Sequence, residues 1–290
     1  MVIVRLMGGL GNQMFQYAAG RAVAHRNQTQ LKLDVSALER DAARSYKLHH
    51  FNIEASIVAP DKVTRFTKED LWSRILRRVE RHLLPPSRRA MFAQRVDHFD
   101  PDILRLRGNV YLKGYWQSEK YFKDIEHIIR QDFTFRHAPD AENQRLARTI
   151  ANTNSVSLHI RRGDYVSNPR FSRKFGVCSL EYYQSAAAKV AAKVREPHFF
   201  IFSDDIDWAR DNLRLQHPLT FVAHNGVDKD YEDLRLVSLC SHHIIANSSF
   251  SWWGAWLCAY PEKIVIVPKR WFKEPGRDTR DLIPASWSRI

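Results

Sequence analysis

Short apolar runs alternate with amphipathic stretches along most of the chain. Residues 2–6 form an apolar run closed by Gly8-Gly9, and within 13–25 the residues Phe15, Ala18, Ala19, Ala22 and Val23 recur at helical spacing. Residues 31–34 read as a second strand that ends on Asp34, so the opening is a βαβ unit. Residues 109–116 predict a further strand and 119–130 a helix. Between them, Leu71, Trp72, Ile75, Leu76, Val79 and Leu83 form an apolar stripe beside Arg74, Arg77, Arg78 and Arg81, stopped by Pro85-Pro86. That stripe predicts a helix packed by one face on the body of the protein.

Pro139 opens a polar helical stretch that runs to Asn152-Thr153-Asn154, which places a domain junction near residue 150. Beyond it the pattern is regular. Strands are predicted at 156–160, 198–202, 219–222, 242–246 and 264–267, alternating with helices near 180–194, 231–239 and 249–259. Strands separated by helices of this length indicate parallel sheets covered on both faces. The expected architecture is α/β, with two Rossmann-like domains, 1–150 and 151–290, and a cleft between them. In such sheets ligands lie beyond the carboxyl ends of the strands, so the loops after the strands should carry the chemistry.

Composition narrows the class. With 290 residues, 44% of them hydrophobic, the chain can bury a core without cross-links, which excludes a small disulfide scaffold and wholesale disorder. Cys178, Cys240 and Cys258 fall in no CxxC pattern, so a cysteine-ligated zinc is not indicated and a reducing compartment fits. No window approaches the length of apolar sequence that a membrane span needs, and no secretory n-region opens the chain. A cytoplasmic protein is expected. The formal charge of +13 favours anionic ligands, and residues 60–95 hold ten Lys/Arg against four Asp/Glu, so that segment is also a candidate for peripheral contact with an anionic membrane.

Four segments carry candidate chemistry. In Gly8-Gly9-Leu10-Gly11-Asn12-Gln13 the glycines let backbone N–H groups approach a phosphate or sugar at a helix N-terminus, with Asn12 and Gln13 at the tip expected to touch ligand. The segment lacks the Gly-Lys-Ser/Thr of a P-loop, and Met14 stands at the last glycine position of a dinucleotide fingerprint. In His159-Ile160-Arg161-Arg162-Gly163-Asp164, directly after a strand, two guanidinium forks match diphosphate oxygens. Ser203-Asp204-Asp205, again at a strand end, offers carboxylates to a guanine edge or ribose. Asp205-Ile206-Asp207 also has an Asp-x-Asp form compatible with a metal, and Asp is common where a helix begins. Asn247-Ser248-Ser249-Phe250-Ser251-Trp252-Trp253-Gly254 feeds a strand into a serine-rich helix start, with the tryptophans expected in the core.

Together with Lys113 to Phe122 (KGYWQSEKYF), these segments, GGLGNQMFQ, HIRRGD, SDD and NSSFSWWG, resemble the alpha-1,2-fucosyltransferases of glycosyltransferase family 11, in family order and over most of the chain. The resemblance implies a GT-B fold binding GDP-fucose, and inverting transfer of L-fucose to the 2-hydroxyl of a terminal galactose without an obligatory metal or other cofactor. It implies that Arg161 binds the β-phosphate and that His159 contacts the nucleoside. Asp204 or Asp205 would read guanine, and Ser248, Ser249 and Phe250 would close on the diphosphate. Asn12, with Gly9, Leu10 and Gly11, would approach from the other domain. Asp164 is the nearest motif carboxylate for general-base work, with a brace for the arginines as the competing role, and Glu119 is a further candidate base. Because the sequence begins at the first strand, a bacterial-type enzyme acting on an oligosaccharide or surface polysaccharide is expected.

Three other classes remain on the sequence alone. A nucleic-acid-binding protein rests only on net charge and lacks a zinc-finger pattern, an aromatic-basic RNA motif or a dimeric helix arrangement. A nicotinamide-dependent oxidoreductase rests on Gly9-Leu10-Gly11 and Asp34 but leaves the arginine pair unexplained. The third is a phosphate-binding sensor without catalysis.

Overall fold

The computed structural model of the protein describes residues 1–67, 75, 78 and 83–290. The predicted apolar stripe and its arginines lie outside the described residues except for Ile75, Arg78 and Leu83. Two compact units are present: Met1–Arg136 with Asp278–Pro284, and His137–Arg277 with Ala285–Ile290.

The first unit holds a five-stranded sheet in the order β3-β2-β1-β5-β4. Its strands are β1 (Val2–Arg5), β2 (Leu31–Asp34), β3 (Ser56–Ile57), β4 (Met91–Ala93) and β5 (Val110–Lys113), and every pairing is parallel. β1 is central, aligned with β2 at Val2↔Leu31 and with β5 at Val2↔Val110. A central parallel strand is covered on both faces, which explains why consecutive Val2, Ile3 and Val4 are all buried. One face receives Val58, Val63 and Phe66, with the Phe66 ring stacked on Tyr111 at 4.9 Å.

The predicted helix over 119–130 is broken. Two 3₁₀ turns, Glu119–Tyr121 and Lys123–Ile125, precede a helix over Glu126–Asp132. Tyr121, Phe122 and Ile125 are all buried there, and a tight turn aligns Phe122 with Ile125 three residues on. Ser118 starts the run, accepting from the Lys120 N–H while its hydroxyl donates to the Asp281 carbonyl.

The second unit holds a six-stranded sheet in the order β11-β10-β9-β6-β7-β8, again wholly parallel. Its strands are β6 (Asn154–Ile160), β7 (Pro197–Ser203), β8 (Leu219–Phe221), β9 (His242–Ile244), β10 (Val265–Val267) and β11 (Ser288–Arg289). From β6 the chain builds outward through β7 to β8, then returns to β9 on the other side of β6 and builds outward again. This is the doubly wound order, so the expected Rossmann-like character holds.

The chain divides at Arg136/His137 rather than near residue 150. The polar stretch read as a junction is the helix Ala141–Ala151, capped by Asp140, and it belongs to the second unit. Its Ile150 packs with Phe200, Phe202 and Leu236, and Asn143 bonds to Asn225 and His224. A helix that buries one narrow face looks like linker in composition. Nor does the second unit run unbroken to the end, since Asp278–Pro284 returns to the first.

The helix Ser249–Leu257 carries the predicted core tryptophans. Trp252 and Trp253 are fully buried, in ring contact with each other and with Trp256. Gly254 is dictated by the neighbouring helix, Asp230–Leu239: a Cβ there would stand 2.2 Å from Val237 Cγ1.

Candidate active site

In a doubly wound sheet the ligand crevice opens where the strand order reverses. In the second unit that point lies between β6 and β9. β6 runs into Arg161-Arg162-Gly163-Asp164, β7 into Ser203-Asp204-Asp205, and β9 leads to Asn247, Ser248 and Ser249. The three motifs read separately in the sequence therefore meet at the carboxyl ends of adjacent strands.

Arg161 bridges two carboxylates. Its Nη1 is 2.8 Å from Asp204 Oδ2, its Nη2 donates to Asp164 Oδ1, and its guanidinium lies 5.1 Å from the Tyr165 ring centre. Asp204 also accepts from the Arg162 N–H at 2.8 Å. The turn closes so tightly that a Cβ on Gly163 would meet Asp204 Oδ2 at 2.3 Å. Arg162 pairs with Asp205 Oδ2 at 3.1 Å and places its guanidinium carbon 3.7 Å from the Trp208 ring centre, while Asp205 caps the helix Ile206–Asn212 by accepting from the Trp208 N–H. Asp164 thus braces Arg161, and Asp204 and Asp205 face the arginines. Two guanidiniums meet three carboxylates, so this cluster carries one net negative charge when all are ionised.

His159 sits in β6 with its ring 5.3 Å from Phe250. Burial, and then the nearby Arg161 charge, push its pKa down to about 3, so it is a neutral imidazole at physiological pH. Its Nδ1 is buried and has no hydrogen-bond partner among the described residues. Ser248 caps the Ser249–Leu257 helix by accepting from the Phe250 N–H, and Ser249 is half-buried in its first turn. Asn247 is structural: its amide donates to the carbonyls of Phe175 and Trp271, tying two loops to the end of β9.

The first unit gathers the remaining motifs at its own reversal point, between β1 and β5. Gly9 stands at the N-terminus of the helix Leu10–Arg26, and the first two helical residues, Leu10 and Gly11, are buried. Asn12 Oδ1 accepts from Gln117 Nε2 at 2.7 Å, joining the first motif to the KGYWQ segment. Gln13, expected at the ligand, is instead fully buried: it donates to the Gly8 and Ser45 carbonyls and accepts from the Lys47 N–H. Gln16 grips Met7 through both backbone groups. Glu119 pairs with Lys123 at 3.4 Å.

Nothing local in the sequence marks Gln117 as a site residue, since its partner Asn12 lies 105 positions away. Trp116 before it has φ +55°, a left-handed conformation costly for a bulky residue, held by Gln94 Oε1 accepting from the Tyr115 and Trp116 N–H groups.

With this geometry in place, the chain matches Glycosyl transferase family 11 over residues 1–290. It belongs to that family. The family 11 chain is 33% identical to an alpha-1,2-colitosyltransferase of Escherichia coli, over 100% of this chain and 98% of the relative. It is also 33% identical to the O-antigen biosynthesis glycosyltransferase WbnK of Escherichia coli, over 97% and 98%. A galactoside alpha-(1,2)-fucosyltransferase 2 of Hylobates lar is 27% identical, over 88% of this chain and 68% of the relative. Among solved structures, NodZ alpha-1,6-fucosyltransferase soaked with GDP-fucose matches with a TM-score of 0.52 at 14% identity, covering 91% of this chain and 94% of that one. A mutant of Arabidopsis thaliana FUT1 in complex with GDP matches with a TM-score of 0.54 at 12% identity, covering 92% of this chain and 70% of that one. These likenesses establish the fold as GT-B. Among the described residues no helix is long and apolar enough to cross a membrane.

Proposed function

We propose that this family 11 glycosyltransferase moves L-fucose from GDP-fucose to the 2-hydroxyl of a terminal galactose, with inversion. The observation that carries the reading is Arg161, held as a fork between Asp164 and Asp204 at the reversal point of the second unit. Breaking the bond from fucose C1 to the phosphate oxygen leaves negative charge on GDP and oxocarbenium character on the sugar. A guanidinium already fixed in place stabilises that leaving group without reorganising. The neutral His159 and the half-buried Phe250 offer the nucleoside a polar edge and an apolar wall. Asn12 and Gln117 are a pre-ordered pair for sugar hydroxyls in the first unit.

No obligatory metal is part of this proposal. The motif carboxylates Asp204 and Asp205 are already committed to ion pairs with Arg161 and Arg162, which argues against their holding a metal. A second reading, colitose in place of fucose as the transferred sugar, is favoured by the relative named for colitose transfer.

The test is GDP release from GDP-fucose with and without lactose, in EDTA, repeated with GDP-colitose. Lactose-dependent release that survives EDTA, with a product bearing α1,2-linked fucose, is the expected result. Release with GDP-colitose alone would establish the second reading. No release, and no rise in melting temperature on adding GDP, would overturn both.

A further inference from the structure

The first motif and the KGYWQ segment meet through one side-chain bond, and the backbone that delivers it is strained. Trp116 is fully buried, its ring edge-on to Tyr121 at 5.6 Å. Its φ of +55° is a conformation that a bulky residue leaves unless something holds it there. The Ser118 N–H donates to the Trp116 carbonyl at 2.8 Å, closing a three-residue turn with Gln117 at its centre. The direction of the Gln117 side chain therefore depends on the conformation of Trp116.

Gln94 holds that conformation. It follows β4, and its N–H continues the ladder by donating to the Lys113 carbonyl at 2.8 Å. Its Oε1 accepts from the Tyr115 N–H at 2.7 Å and from the Trp116 N–H at 3.0 Å, while its Nε2 donates to the Val96 carbonyl at 2.9 Å. The approach is so close that a Cβ on Gly114 would stand 2.5 Å from Gln94 Cβ and 2.8 Å from Trp116 Cε2. Both polar atoms of the Gln94 amide are thus engaged with backbone.

The pair at the end of this chain of contacts has capacity left. Gln117 Nε2 donates to Asn12 Oδ1 at 2.7 Å, while Asn12 Nδ2 and Gln117 Oε1 have no hydrogen-bond partner among the described residues. Both residues are half-buried. One donor and one acceptor on two bonded amides complement a hydroxyl, which gives a hydrogen bond and takes one.

We propose that Gln94 is a positioning residue for the acceptor sugar. By fixing Trp116 in the left-handed conformation it aims Gln117 at Asn12, and the two amides together take an acceptor hydroxyl. The proposal rests on the sugar-transfer reading above.

The experiment compares wild type with three variants. Gln94→Leu removes both amide atoms at similar size, and Gln94→Glu keeps an oxygen for the Tyr115 and Trp116 N–H groups. Val63→Ala is the stability control, loosening the core cluster of Ile3, Val58 and Phe66 in the same unit. The readouts are steady-state kinetics with GDP-fucose and lactose, GDP affinity by calorimetry, and the NMR signal of the Gln117 side-chain amide, assigned by its absence in Gln117→Ala. Gln94→Leu is expected to raise the lactose KM about tenfold or more, with kcat and GDP affinity little changed and the Gln117 signal moved to that of a free amide. Gln94→Glu should restore both, and Val63→Ala should lower the melting temperature without moving either. In an Asn12→Ala background Gln94→Leu should add little, because both changes act through one pair. An unchanged KM in Gln94→Leu, a rise shared by Val63→Ala or not relieved by Gln94→Glu, or full additivity with Asn12→Ala would overturn the proposal. If wild type shows no lactose-dependent turnover, the Gln117 signal decides. A signal lost in Gln94→Leu alone would leave Gln94 as the residue that sets Gln117 and remove the lactose reading instead, whereas an unchanged signal would overturn the positioning role too.

Discussion

Arg161 Nη1 lies 2.8 Å from Asp204 Oδ2, while its other terminal nitrogen reaches Asp164. A planar fork can satisfy both carboxylates at once, and an ammonium cannot. Arg161→Ala is expected to lower turnover by about 10²-fold or more, the scale of losing a dedicated transition-state donor, and Arg161→Lys to recover only part of that loss. Steady-state GDP release measures it. Near-normal turnover in the alanine variant would remove Arg161 from the mechanism.

Gly163→Ala and Gly254→Ala should fail in different ways. The first drives a methyl into Asp204 and so disturbs the Arg161 fork at a half-exposed turn. Activity should fall about tenfold or more while the melting temperature barely moves. The second overpacks a buried helix contact and is expected to cost about 1–3 kcal/mol, seen as a melting temperature several degrees lower. Adding Val237→Ala removes the clashing atom and should restore much of that stability.

The bond from Gln117 Nε2 to Asn12 Oδ1 predicts coupling between positions that look unrelated in sequence. In a double-mutant cycle with alanine at each, the interaction energy should be about 0.5–1.5 kcal/mol in stability or in acceptor binding. Strict additivity would show that the pair does no joint work.

His159 and His243 are both buried, and burial is the first cause of their lowered pKa, with Arg161 adding to it at His159 and Lys263 at His243. The unfolded chain takes up protons near pH 6.5 while the folded imidazoles stay neutral. Stability from these groups is therefore complete above about pH 6.5 and is lost as pH falls toward 3. Urea unfolding at about pH 7 and pH 5 should show the loss, and His159→Gln should flatten the slope by up to about 1.4 kcal/mol per pH unit. An unchanged slope would mean that His159 is protonated in the folded protein.

Strand positions and the edge that carries the chemistry were legible because parallel strands buried on both faces leave short apolar runs, and the motifs sit directly after them. The role of Gln13 was not legible, because a buried amide that pins Ser45 and Lys47 has the same letter as one that meets a sugar. Asp204 and Asp205 read as free acceptors for a nucleotide, since their partners Arg161 and Arg162 lie more than forty positions earlier. The helix Ala141–Ala151 was mistaken for a junction because only a narrow face of it is apolar and buried.

The return of Asp278–Pro284 to the first unit bears on the order of events during synthesis. Asp281 accepts from the Phe99 N–H, pairs with Lys120 and takes the Ser118 hydroxyl on its carbonyl. A ribosome that has made residues 1–136 has made every strand of that sheet but not this clasp, which emerges only after nearly all of the second unit. The first unit must therefore wait, with Ser118 and Lys120 unclasped, through the translation of about 140 further residues, and a nascent chain arrested before Asp278 should be cleaved by protease near these positions much faster than the finished protein.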